Sequence, residues 1–153
     1  MSYRRSKYHA KKAEYNGEVF DSLAEAAYAR HLDGEVERGA ILYYVRQPRF
    51  TLGCPENVYK PDFHVVAPRW TTATDVKGHE TPKFRKDRRL WARYGPCPLQ
   101  VIRLNLRYPK ADPSIDPAPL PAIKGIDFDV IHGGQDRRSY GPLHPEFLRR
   151  VEP

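Results

Sequence analysis

Methionine occurs once, as Met1, and cysteine twice, as Cys54 and Cys97. The two thiols are far apart, and neither sits in a Cys-x-x-Cys or Cys/His ligand spacing. That argues against a structural zinc site and predicts reduced, unpaired cysteines. Long apolar runs are missing as well: no stretch approaches the about 18 consecutive apolar residues that would suggest a membrane-crossing helix. The opening MSYRRSKYHAKK is basic with no apolar segment behind it, so it does not read as a secretory signal. The expectation is a cytoplasmic protein with no membrane association. Acidic residues are outnumbered, 19 against 26 basic ones, for a formal net charge of +7, and arginine exceeds lysine 17 to 9. Such an excess points first to a polyanion, because each neutralised phosphate releases condensed counterions. Arginine-rich, methionine-poor composition suits a thermophilic or a GC-rich source equally well.

At 153 residues the chain has the length of one compact domain with a core of its own. Three stretches differ in texture. Residues 1–13 form a basic arm, with Arg4, Arg5, Lys7, Lys11 and Lys12 interleaved with Tyr3 and Tyr8. Such an arm is either a solvated terminus or a strap on a phosphate backbone. Residues 14–108 carry the periodic segments. Residues 109–153 hold eight of the fifteen prolines together with Gly133-Gly134. This last stretch reads as an extended proline-rich tail that wraps the body or a partner, or is partly disordered.

Within 14–108, Asn16-Gly17 predicts a hairpin over 14–20. Ser22 is a good N-cap for a helix running to Arg38, with Gly39 as its stop. Strands follow at 41–52, with Pro48 marking an edge or bulge, at 58–66, again interrupted by a proline, and at 71–77. Thr81-Pro82 opens a second helix reaching Tyr94, and 99–106 is a further strand. The fold class is α/β: a mixed central sheet flanked by helices in the order α-β-β-β-α-β.

The chemistry gathers on three segments. Asp75 and Lys77, two apart on a strand, project from the same face. Asp62 follows Pro61 in the preceding strand, and antiparallel pairing would set it across from Asp75. Two carboxylates there repel unless a divalent ion lies between them, and oxygen ligands with open water positions suit Mg2+, with Mn2+ as a substitute. A metal that neutralises a scissile phosphate, beside a lysine that orients water, is the equipment of a phosphodiester hydrolase. Glu25 has two readings. Ser22-x-x-Glu25 is a capping box, yet Glu25, Ala29, Leu32 and Val36 share one helix stripe that would face the sheet. The stripe favours a place in the site. On the second helix Lys83, Lys86, Arg89 and Arg93 share a face suited to DNA, with Phe84, Trp91 and Tyr94 directed inward.

Pro61-Asp62, then twelve residues, then Asp75-Val76-Lys77, with Glu25 on the preceding helix, resembles the PD-(D/E)XK nuclease superfamily. The resemblance covers about residues 14–106 and implies a restriction-endonuclease-like core. In texture the chain is similar to small phage-encoded nucleases, through VFDSLAEA, QPRF, YKPDF and TDVKG. Its size and layout also resemble archaeal-type Holliday-junction resolvases. These resemblances imply Glu25, Asp62 and Asp75 as metal ligands, Lys77 as the catalytic lysine, and Gln47 as a weaker candidate for completing the site. They imply a Mg2+-dependent endonuclease that resolves branched DNA. The alternatives are a general, mismatch- or site-specific endonuclease on double-stranded DNA, or a binding module of the same fold that does not cut. Two matched nicks on a junction require two active sites, which predicts a C2 homodimer.

Overall fold

The computed structural model describes residues 12–110, 112–115 and 119–135. It opens with a tight hairpin, β1 (Ala13–Tyr15) and β2 (Glu18–Phe20). Asn16 and Gly17 connect them at φ 51° and 77°, both in the left-handed region that such a two-residue turn demands. Helix α1 (Leu23–Glu37) follows, with Ser22 Oγ accepting from the Glu25 amide at 3.1 Å and Gly39 at φ 73° beyond its end. Ala26, Ala27, Tyr28, Ala29 and Leu32 are buried. The expected stripe ends early: Val36 is 37 % exposed, and Glu35 takes the inward place in the last turn, ion-paired to Arg38.

The predicted strand 41–52 is two strands, β3 (Tyr43–Arg46) and β4 (Phe50–Thr51). The predicted strand 58–66 likewise divides into β5 (Val58–Tyr59) and β6 (Phe63–Val66). One cause explains both breaks. Arg46 pairs with Phe63 and Phe50 with Tyr59, so the register is the same on either side and sets Pro48 opposite Pro61. Neither proline can donate to the ladder. Gln47, at φ 47°, turns its amide onto the Asp62 carbonyl at 2.9 Å.

Strand β7 (Thr71–Val76) pairs antiparallel with β6, and α2 (Pro82–Tyr94) carries the chain across to β8 (Leu99–Arg107), parallel to β7. A parallel neighbour needs such a crossover. Within the segment 109–153, expected as an extended tail, β9 (Ala122–Ile131) forms instead, antiparallel to β8. Among the described residues the sheet has five strands in the order β3-β6-β7-β8-β9; residues 136–153 of that segment lie outside the described residues. A bulge between Asn105 and Leu106 shifts the register opposite Ile123–Gly125. Apolar alternation along β9 therefore slips by one residue between Ile123 and Ile126, which hides the strand from a period-two reading. Beyond β9, Gly133 and Gly134 press on the end of α2. A Cβ on Gly133 would lie 2.3 Å from the Gly95 carbonyl oxygen, and one on Gly134 2.2 Å from that of Arg93.

The sheet separates two cores. Phe20, Ala29, Leu32, Phe63, Val65 and Ile102 pack with α1, while Leu52, Tyr59, Ala73, Phe84, Trp91 and Val101 pack with α2. Val101 and Ile102 are adjacent in sequence yet lie in different cores, as strand geometry requires. Among the described residues the fold is thus mixed α/β, with a mixed central sheet and two helices. No helix among the described residues is long and apolar enough to cross a membrane.

Candidate active site

The antiparallel β6–β7 register pairs Phe63 with Thr74, so one step further Asp62 stands opposite Asp75 on the same face of the sheet. This face belongs to the α2 side, because Ala73, two residues before Asp75, packs in the α2 core. Asp62 lies at the proline break, where its Oδ2 accepts from the Val76 amide at 2.7 Å. Asp75 is 1 % exposed. Its Oδ2 accepts from the Tyr59 hydroxyl. Its Oδ1 is 3.0 Å from Lys77 Nζ, an ion pair that lacks hydrogen-bond alignment. Lys77 also sits 4.6 Å over the Phe84 ring.

Glu25 comes to this end of the sheet from the first turn of α1. Burial holds its carboxyl above the usual carboxylate range, reinforced by the charges of Asp21 and Asp75, while Ser22 and Lys77 act the other way. Asp62 is pushed up to about 9, chiefly by burial and then by Asp75 and Glu25. Glu25, Asp62, Asp75 and Lys77 therefore feel one another's charge. Like charges this close favour a shared proton or a cation. Among the described residues, however, no group of three or more His, Cys, Asp or Glu side chains is arranged as a ready metal cage. Gln47 joins through its backbone, on the Asp62 carbonyl; its side chain reaches Asp21 Oδ2, at 3.5 Å.

Helix α2 presents Lys83, Lys86, Arg89 and Arg93 to solvent, while Phe84 and Trp91 are buried and Tyr94 half-buried. Lys83 Nζ pairs with Asp87 at 2.9 Å, and Arg93 lies 5.4 Å over the Tyr94 ring. An open cleft between β5 and the start of α2 is lined by Tyr59, Lys60, Asp75, Lys77, Lys83 and Asp87, among others. Of the arm, Lys12 is exposed immediately before β1, whereas Arg4, Arg5, Lys7 and Lys11 lie outside the described residues.

Three side chains at this site escape a reading by motif. Tyr59 is buried against the strand that carries Asp75, and burial together with the Asp75 charge raises its hydroxyl far above the ordinary tyrosine range. Asp21 adds its charge to Glu25. Asp87 is 8 % exposed and faces the cleft. Only Asp87 left a clear trace, since Phe84, Asp87 and Trp91 follow the spacing of one inward helix stripe.

A family model described as "Protein of unknown function (DUF1064)" matches residues 5–109. No curated protein and no solved structure matches the chain.

Proposed function

The chain belongs to the DUF1064 family, and from its site we propose that it is a metal-dependent DNA endonuclease with a restriction-endonuclease-like, PD-(D/E)XK core. One observation carries this reading. Asp62 and Asp75, from neighbouring antiparallel strands, stand side by side with Lys77 ion-paired to Asp75 and Glu25 within electrostatic reach. A structural ion pair between Lys77 and Asp75 would not need a second carboxylate, Asp62, buried beside it at an electrostatic cost.

The donor set fits Mg2+ or Mn2+. Asp75 Oδ1 is buried without a hydrogen-bond donor. Burial together with the charges of Asp75 and Glu25 makes a bare negative charge on Asp62 unfavourable, a cost that a cation beside it would offset. Mg2+ is commonly bound through one or two carboxylates, with waters and substrate phosphate completing the shell, so a full protein cage is not required. Asp62 and Asp75 would hold the ion with Glu25 beside them, and it would supply charge neutralisation at the phosphate and a more acidic water. The protein's own contributions are positional. The Val76 amide fixes the Asp62 carboxylate. Lys77 orients the attacking water and stabilises negative charge on the phosphate oxygens. The exposed lysines and arginines of α2 hold flanking phosphates without reading sequence. Branched DNA, cut by a homodimer, is the substrate that the resemblance to junction resolvases favours.

The test is nicking of supercoiled plasmid with Mg2+, with and without chelator, by the parent and by Asp62→Asn, Asp75→Asn and Lys77→Ala. Cleavage by the parent should be abolished by chelator and fall by about 10²-fold or more in each variant. Salt-dependent binding without any cutting would return the chain to a binding module. Full activity in either aspartate variant would overturn the site.

A further inference from the structure

We propose that Tyr59 is a positioning residue of the carboxylate site, its buried hydroxyl locking Asp75 so that Oδ1 is the oxygen offered to a divalent cation. The inference rests on the metal-dependent reading of the same site and adds the residue that aims its ligand.

The geometry is specific. Tyr59 lies on β5, across the proline break from Asp62, and is 4 % exposed. Its ring is fixed from two sides. Trp91 meets it edge-on at 5.8 Å and 78°, and Phe84 lies 6.4 Å away at 49°. A ring held this way has little freedom, so its hydroxyl is a fixed donor, and that donor is on Asp75 Oδ2. The other oxygen, Oδ1, has no aligned donor; it faces the Lys77 ammonium at 3.0 Å. Asp75 thus presents two unlike oxygens, Oδ2 taken up by a neutral hydroxyl and Oδ1 without an aligned donor beside a cationic side chain. Oδ1 would be the oxygen open to a divalent ion, while the Tyr59 hydroxyl holds Oδ2. Lys77 lines the same cleft over the Phe84 ring, where it could also reach a substrate. Packing alone would be served equally by phenylalanine, and the hydroxyl is what the site adds.

Partners that orient a ligating carboxylate commonly contribute 10- to 100-fold to metal affinity, and about that loss is expected here. The experiment is calorimetric titration of the full chain with Mn2+ at neutral pH, for the parent and Tyr59→Phe, beside thermal melts and plasmid nicking over a range of Mn2+. The expected result is a Mn2+ Kd raised about 10- to 100-fold in Tyr59→Phe with a cooperative melt. Nicking should be lost at low Mn2+ and recover as Mn2+ saturates. Equal or tighter Mn2+ binding by Tyr59→Phe overturns the positioning role while leaving the nuclease reading intact. A parent chain that does not bind Mn2+ overturns both. Should Tyr59→Phe not melt cooperatively, 4-fluorophenylalanine at the same position fills the hydroxyl's volume without donating, and the same Kd criterion applies.

Discussion

Glu25 and Asp62 show that a carboxylate at this site can be idle in the fold or burden it. The cap of α1 uses the Glu25 amide on Ser22 Oγ, a bond that does not need the Glu25 carboxylate. Glu25→Gln should therefore leave the melting temperature nearly unchanged. If the carboxylate belongs to the metal site, the same change should cut plasmid nicking by about 10²-fold. A stable and fully active variant would confine Glu25 to the helix end. Asp62 predicts a pH effect on folding. Its folded-state value of about 9 lies above the ordinary 3.8, so between these pH values the folded chain binds a proton that the unfolded chain has released. Stability without metal must then fall as pH rises through this window, by up to about 1.4 kcal/mol per unit. Asp62→Asn removes that slope, and its chemical-denaturation midpoint should overtake the parent's toward alkaline pH. Parallel pH profiles for the two chains would contradict the shift.

At the scale of elements, α2 and β9 make separable predictions. If α2 lies along DNA, replacing Lys83, Lys86, Arg89 and Arg93 by alanine should flatten log K against log salt by about one unit for each phosphate no longer neutralised. Lys83 is the exception to watch, since it is already paired to Asp87 and its removal leaves a buried carboxylate bare. An unchanged slope would mean that DNA lies elsewhere. Strand β9 tests where the folding unit ends. The family match stops at residue 109, but the sheet continues, with Ile126 and Phe128 packed against the α1 core. A chain ended at Tyr108 strips the outer edge of β8 and uncovers part of that core. It should lose the sharp thermal transition of the full chain; an unchanged transition would make β9 dispensable.

For the whole molecule, the prediction is assembly matched to substrate. A junction of near two-fold symmetry needs opposed nicks, and one site on one chain cannot reach both strands at once. A C2 homodimer answers this requirement. Light scattering at micromolar concentration should give the mass of two chains, and paired incisions should occur on a four-way junction at concentrations that leave linear duplex largely uncut. A monomer, or equal cleavage of both substrates, would support a general endonuclease and leave the assignment of Asp62, Asp75 and Lys77 untouched.

The sequence alone determined what short-range physics governs. Asn16-Gly17 made its hairpin because both residues tolerate left-handed backbone. Ser22 and Thr81 capped their helices because their hydroxyls meet the third amide onward. Asp75 and Lys77 were bound to share a face because strand side chains alternate. Tertiary structure decided the rest, because it depends on partners far away in the chain. Whether Asp62 faced Asp75 was a question of register between strands. The same register set Pro48 against Pro61 and divided two long strands into four. Tyr59 reached Asp75 across sixteen positions, a distance no local pattern spans. Strand β9 carried too many prolines before it and a bulge within it to announce itself, and became a strand by pairing with the outer edge of β8.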